Sequence, residues 1–105
     1  MTPAVVLLAI QLLTGPLGLA PCTVRLRVRV EPKAENRSIT VTLDSPDFYR
    51  RSVHELKGDH AAATQPEQTY PALPPGTYEI RAVVTRPPQN DVHAVTTFLC
   101  GGSHE

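Results

Sequence analysis

The sequence predicts an all-β domain, and three observations support this prediction. First, apolar and polar residues alternate over several short stretches, most regularly in residues 23–30, as expected for strands with one buried face. Second, 11 prolines and 6 glycines in 105 residues imply many turns and few helices. Third, residues 73–78 form a corner signal, in which two adjacent prolines exclude a helix and Gly76 permits a tight reversal.

The composition restricts the class of protein further. Ten acidic and ten basic side chains give a net charge of zero, whereas dedicated nucleic-acid or anionic-membrane binders are strongly basic. The chain has three Tyr, two Phe and no Trp, so that Val, Ile, Leu and Ala must fill the core. We therefore expect one small aliphatic-cored domain and no nucleic-acid partner.

The N-terminal segment, residues 1–20, is predicted to be a secretory signal peptide. Residues 3–20 carry no charge, and the apolar run 4–13 matches the hydrophobic region of such a leader. The best cleavage site is Gly18-Leu19-Ala20, although Pro21 follows it. The alternative is an uncleaved membrane anchor. A signal peptide predicts an exported protein, either periplasmic or secreted.

Cys22 and Cys100 are the two cysteines of the chain, and they flank the predicted domain. An even number of cysteines in an exported chain indicates a disulfide. Closing so long a loop would stabilise the fold by about 4 kcal/mol in a chain-entropy treatment. The alternative is a bacterial lipoprotein, because residues 19–22 resemble a lipobox in which Cys22 is acylated and attached to a membrane.

The first three predicted strands follow the predicted leader. Residues 23–30 place Val and Leu on one face and Arg on the other, and residues 38–43 alternate in the same way. The third strand, residues 48–56, is irregular and rich in charge, which is typical of a bulged or edge strand. Polar turns separate the three strands.

The remaining strands continue this pattern. Residues 62–70 are extended, but Pro66 restricts them to a sheet edge. Residues 77–85 alternate after the corner, and residues 91–100 form the last strand, followed by a tail, 101–105, that we expect to be disordered. This spacing predicts a six- to seven-stranded antiparallel Greek-key sandwich over residues 21–100. Six strands also place Cys22 and Cys100 at the same end.

The corner carries a resemblance to known families. Leu73, Gly76 and Tyr78 resemble the tyrosine corner of Greek-key sandwiches, in which the Tyr hydroxyl bonds to backbone just upstream. The phrase spanning residues 72–82, with residues 36–39 and 44–52, is similar to immunoglobulin-like and fibronectin-III-like domains of small exported bacterial proteins, and to transthyretin-like and carboxypeptidase-regulatory-like domains. The resemblance implies a structural role for these residues and an adhesive, spacer or accessory module.

The stripe of Arg25, Arg27 and Arg29 is the most distinctive surface feature of the sequence. Residues two apart on a strand point to one face, so that the three guanidinium groups would form a possible ligand face for a glycan or an anionic polymer. The alternative is an ordinary solvated face, with Glu79 or Asp partners on neighbouring strands.

No residue pattern indicates catalysis, a cofactor or a metal. Ser52 and His54 share a strand face, but no glycine elbow or third partner accompanies them. The histidines and turn aspartates lack metal-ligand spacing, so that a pair such as His60 and His93 is better read as surface residues. Asn36-Arg37-Ser38 fits the N-glycosylation pattern. The histidines and turn aspartates considered as metal ligands are His54, His60, His93, His104, Asp44, Asp47 and Asp59.

Two functions are compatible with these features. The first is a non-catalytic module that binds another envelope or extracellular protein through an open sheet edge or face. Val95, Thr97 and Leu99, outward on the last predicted strand, form its least protected surface. The second is a glycan or anionic-polymer binding module that uses the Arg25, Arg27 and Arg29 face.

Overall fold

A computed structural model describes residues 8–31, 36–56, 67–88 and 90–102 of the chain. The described residues form eight strands and no helix. Their bounds are β1 Leu8–Leu12, β2 Leu17–Leu19, β3 Cys22–Val30, β4 Ser38–Ser45, β5 Phe48–Glu55, β6 Gln68–Leu73, β7 Gly76–Thr85 and β8 Val92–Gly101. The prediction of an all-β fold is confirmed.

The strands form two sheets. One sheet has three strands in the order β1-β3-β6, and both of its pairings are antiparallel. The other has five strands in the order β2-β8-β7-β4-β5, antiparallel except for the parallel pair β2–β8. The two sheets enclose one hydrophobic core, as in a β-sandwich.

The core is built from the inward positions of the alternating strands. In β3 every second residue is buried, and the intervening Arg and Thr residues are exposed, because successive side chains on a strand point to opposite faces. Tyr78 and Phe98 are the largest fully buried side chains, and Phe48 packs against the core from β5. Aliphatic residues complete the core: Val24, Leu26, Val28, Ile39, Val41, Leu43, Leu73, Ile80 and Val84.

The segment predicted as a leader contributes two strands, which explains why the count exceeds the predicted six or seven. Leu8, Ile10 and Leu12 of β1 are partly buried against the core, whereas Ala9 and Gln11 point outward. The chain then crosses to the other sheet, where β2 pairs with the end of β8. In the 105-residue chain this segment therefore belongs to both sheets. Its removal after export stays a prediction.

Most predicted strand boundaries agree with the structure to within one or two residues, and two regions need comment. The fourth predicted strand, 62–70, corresponds to β6 at Gln68–Leu73, and residues 62–66 lie outside the described residues. The predicted tail begins at residue 101, but Gly101 ends β8, because its carbonyl accepts a hydrogen bond from the Ala20 N–H. Residues 103–105 lie outside the described residues. Within the described ranges, no helix is long and apolar enough to cross a membrane.

Candidate functional site

The corner residues Leu73, Gly76 and Tyr78 lie in the core and at its rim. The Tyr78 hydroxyl donates a hydrogen bond to the Pro74 carbonyl at 2.6 Å, and both Leu73 and Tyr78 are fully buried. Gly76 has φ of +153°, and a Cβ there would lie 2.9 Å from Ser45 Oγ. A side chain at this position would therefore strain both the backbone and its neighbour.

Burial also sets the ionisation of Tyr78. Removal of its hydroxyl from water, and secondarily the charge of Asp47, raises the pKa of Tyr78 above 10.0. Its ring packs between Phe48, at a centroid distance of 5.8 Å, and Phe98, at 6.3 Å. Tyr78 is thus a neutral, core-forming residue at physiological pH.

Cys22 and Cys100 form a disulfide, with a Cα–Cα distance of 6.1 Å. Cys22 begins β3 of the three-stranded sheet, and Cys100 lies near the end of β8 in the five-stranded sheet. The bond therefore fastens the two sheets together across the core. Because the disulfide uses the Cys22 sulfur, this structure supports the disulfide over the acylated lipoprotein alternative.

Arg25, Arg27 and Arg29 all point outward from β3, the central strand of the three-stranded sheet. Glu67 approaches two of them, with its carboxylate oxygens 3.6 Å from Arg25 Nη1 and 3.9 Å from Arg27 Nη2. Both ion pairs are partly exposed to solvent and have long N–O distances, so that each contributes little to stability. Within the described residues Arg29 has no ion-pair partner.

The strand residues paired with these arginines in β1 and β6 are uncharged, and Glu67 lies just before β6. Gln11 lies opposite Arg27 and Ala9 opposite Arg29 in β1, and Thr69 lies opposite Arg25 in β6. The expected alternative partner, Glu79, lies on the other sheet and pairs with Arg81 at 3.1 Å. The sequence did not reveal Glu67 as the partner because the β3–β6 pairing joins residues distant along the chain.

The outer face of the five-stranded sheet carries an apolar cluster at its β2–β8 edge. Val95 and Leu99 of β8 are 49% and 45% exposed, and Leu17 and Leu19 of β2 are 67% and 74% exposed. Leu17 lies directly opposite Leu99 in the β2–β8 register. We call these four residues the β8 apolar cluster. The alternation of the last strand indicated Val95 and Leu99, but the two leucines of β2 were missed because they were assigned to the leader.

The other candidate residues do not assemble into a reactive site within the described part of the chain. The Ser52 hydroxyl bonds to the Tyr70 hydroxyl at 3.2 Å, whereas His54 Nε2 is buried and has no hydrogen-bond partner among the described residues. His93 lies exposed on β8, and His60, His104 and Asp59 fall outside the described residues. Asp44 ends the regular part of β4 and Asp47 lies in the following turn, and no group of three or more His, Cys, Asp or Glu among the described residues could hold a metal.

The possible glycosylation site at Asn36 is part of the fold. Asn36 is only 1% exposed, and its amide Nδ2 donates a hydrogen bond to the Glu31 carbonyl at 2.9 Å. A glycan attached to Nδ2 would have no room at this buried position, so that the side chain would have to leave it. The structure therefore argues against modification of the folded protein at Asn36.

Comparison with models of known protein families finds no match, and comparison with curated protein sequences finds none either. The candidate functional surfaces are therefore defined by geometry alone: the β8 apolar cluster, the open edge of β8, and the arginine face of β3.

Proposed function

We propose that this protein is a non-catalytic, exported interaction module that binds another protein of the cell envelope or extracellular space through the outer face of β8. The observation that carries this proposal is the exposure of Val95 and Leu99 on β8, two large apolar side chains that stay in the protein after removal of the first 20 residues; where that segment is retained, Leu17 and Leu19 of β2 extend the same surface. A contiguous exposed apolar group is typical of a protein–protein contact, whereas apolar residues scattered singly on a surface need no explanation.

An immunoglobulin-like Greek-key topology is the fold we propose for this module. The strand orders support it, because β3 skips its sequence neighbours to pair with β6, while β4 pairs with both β5 and β7. Modules of this architecture present their binding residues on sheet faces, edges and end loops.

Leu99→Lys tests the proposed docking surface. Leu99 is central in the β8 apolar cluster, so that a lysine there would place a charge in the contact, and recovery of the partner from a periplasmic extract should be lost. Val53→Lys is the matched control, since Val53 is 52% exposed on β5, at the far edge of the same sheet. Equal recovery of the partner by wild type and Leu99→Lys would reject the β8 apolar cluster as the docking surface.

Export is part of this proposal, and the Cys22–Cys100 disulfide is compatible with an oxidising location. The mass of the intact exported protein tests it directly. We expect loss of about the first 20 residues and of two hydrogens for the disulfide. A full-length mass would indicate a retained anchor, and a mass increased by acyl chains would indicate a lipoprotein.

A second candidate function, binding of a glycan or anionic polymer, rests on the arginine face. Three exposed guanidinium groups lie two residues apart along β3, a spacing of roughly 6.6–6.8 Å, and Glu67 is their single carboxylate partner in the described part of the chain. Replacing all three arginines by Ser should abolish salt-sensitive binding on an array of glycans and anionic lipids. Arg50→Ser with Arg51→Ser, which removes positive charge from β5, is the control. No binding by the wild-type protein would exclude this function.

A further inference from the structure

We propose that two copies of this chain pair through the open edge of β8, so that the two five-stranded sheets join into one continuous sheet. The proposed function uses the outward side chains of β8, whereas this inference concerns its backbone. The two are therefore separable by experiment.

The backbone groups at this edge can be assigned from two hydrogen bonds. The Leu99 N–H donates to the Pro16 carbonyl at 2.9 Å, and the Gly101 carbonyl accepts from Ala20 at 2.8 Å. Alternate residues of a strand direct their N–H and C=O groups to the same side. The same side of β8 therefore presents His93, Val95 and Thr97, away from β7.

These three residues have no strand partner in the described structure. The register of β2 covers only residues 99–101 of β8, so that residues 92–98 form an open edge among the described residues. An edge of this length presents unpaired donors and acceptors, and other proteins protect such edges with charges, prolines or covering segments. No proline or formally charged residue occurs in residues 92–98.

A second copy of β8 fits this edge because the three residues with outward backbone groups, His93, Val95 and Thr97, are spaced symmetrically about Val95. A two-fold axis at Val95 pairs Val95 with its copy and His93 with Thr97 of the other copy. Each of these pairs would exchange two backbone hydrogen bonds, as in an antiparallel ladder. The end of β2 at Leu17, opposite Leu99, stops the partner strand from sliding further and so defines the register.

Charge and proline content also favour a second copy at this edge over the edges formed by β5 and β6. Directly opposed like charges destabilise a strand pair, and pairing identical strands brings identical charges together. At neutral pH β8 presents no charged pair, and β1, which lies at the same flank, has no charged residue in Leu8–Leu12. By contrast β5 carries Arg50, Arg51 and Glu55, and the edge strand β6 contains Pro71. The net charge of zero adds no general repulsion between copies.

Sedimentation of the purified 105-residue chain, with its disulfide formed, tests the inference. The wild-type protein should change from monomer to dimer over about 1–100 μM. Thr97→Pro removes an edge N–H without touching the bonds to β7, so that it should weaken the dimer at least about tenfold while the circular dichroism spectrum stays unchanged. A wild-type protein that remains monomeric throughout, or a folded Thr97→Pro variant that dimerises equally well, would overturn the proposal.

Substitutions of opposite charge at Val95, on the proposed two-fold axis, test the register of the paired strands. Val95→Lys places two lysines directly opposite each other, and Val95→Glu places two glutamates there, so that each variant alone should be monomeric. An equimolar mixture of the two should restore a heterodimer, whereas Val95→Thr should behave as wild type. Failure of the mixture to associate, with both variants folded, would reject pairing about Val95.

Leu99→Lys separates this inference from the proposed function. Position 99 lies outside the open edge, so that this variant should still dimerise in purified form although it loses its partner from the extract. Loss of the partner without any wild-type dimer would reject the inference and leave the proposed function standing. If the wild-type protein dimerises and Leu99→Lys recovers the partner from the extract as well as wild type does, the inference stands and the proposed function is rejected.

Discussion

The two flanks of the sandwich hold the sheets together by different means. At the β1–β8 flank the N-terminal chain crosses from one sheet to the other, and the Cys22–Cys100 disulfide joins the sheets covalently. At the β5–β6 flank the sheets are joined by a hydrogen bond between the Ser52 and Tyr70 hydroxyls, at 3.2 Å.

The flanks also differ in how their edges are exposed. The edge strand β5 carries Arg50, Arg51 and Glu55, and β6 contains Pro71, all features that discourage strand addition. The β8 edge is uncharged and partly uncovered. The flank with the covalent connection between the sheets is therefore the one with the unprotected edge, as the proposed binding role requires.

The largest expected effect comes from removing the covalent fastening. Replacing both Cys22 and Cys100 by Ser should lower the free energy of unfolding by about 2–5 kcal/mol, because the unfolded chain regains the freedom that the disulfide restricts. Urea unfolding of wild type and double variant measures the change. A loss below about 1 kcal/mol would show that the β1–β8 flank does not depend on its disulfide.

Tyr78 tests the region between the flanks, since its ring contacts Phe48 of β5 and Phe98 of β8. Tyr78→Phe keeps these ring contacts but removes the hydrogen bond to Pro74, so that we expect a loss of about 1–2 kcal/mol by urea unfolding. An unchanged free energy of unfolding in Tyr78→Phe would contradict a structural role for the hydroxyl.

The stability of the protein at alkaline pH provides a second test of the Tyr78 hydroxyl. Because burial raises the pKa of Tyr78 above 10.0, the folded protein holds this proton more tightly than the unfolded chain does. Its contribution should be complete below pH 10.0 and should decline as the pH rises above that value. Unfolding measured at about pH 8 and about pH 11 should show a smaller decline for Tyr78→Phe than for wild type. Equal declines would assign the alkaline sensitivity to other groups.

The smallest effect is expected at the β5–β6 flank. Ser52→Ala removes one partly buried hydrogen bond, and Tyr70 retains Gln68 as a partner, so that the loss should be about 0.5–1 kcal/mol. Thermal or urea unfolding measures it beside the disulfide variant. A loss as large as that of the double Cys variant would remove the proposed difference between the flanks.

Local alternation predicted most of the fold. The buried and exposed positions of β3, β4 and β7 follow directly from apolar residues at every second position, since that period depends only on strand geometry. The same alternation placed Val95 and Leu99 on the outer face of β8. It was least accurate for β6, which begins near the undescribed residues and continues through Pro71 at a sheet edge.

Features that depend on contacts distant in sequence were not predictable in this way. An apolar leader and a buried strand have the same composition, although the outward Gln11 between Ile10 and Leu12 gave a signal of alternation in β1. The contacts of Glu67 with Arg25 and Arg27 depend on the β3–β6 register, which no local pattern determines. The exposed leucines of β2 were missed because residues 1–20 were assigned to a leader.

The disulfide has a mechanical consequence if the chain is pulled at its two ends. Cys22 and Cys100 are 78 residues apart in sequence but directly bonded, so that tension applied to the two chain ends passes through the sulfur atoms. The residues between them carry no load and cannot be drawn out, which withholds roughly 260–280 Å of extended chain. Under stretching, the molecule would therefore act as a short tether of nearly constant length, even if its strands separated.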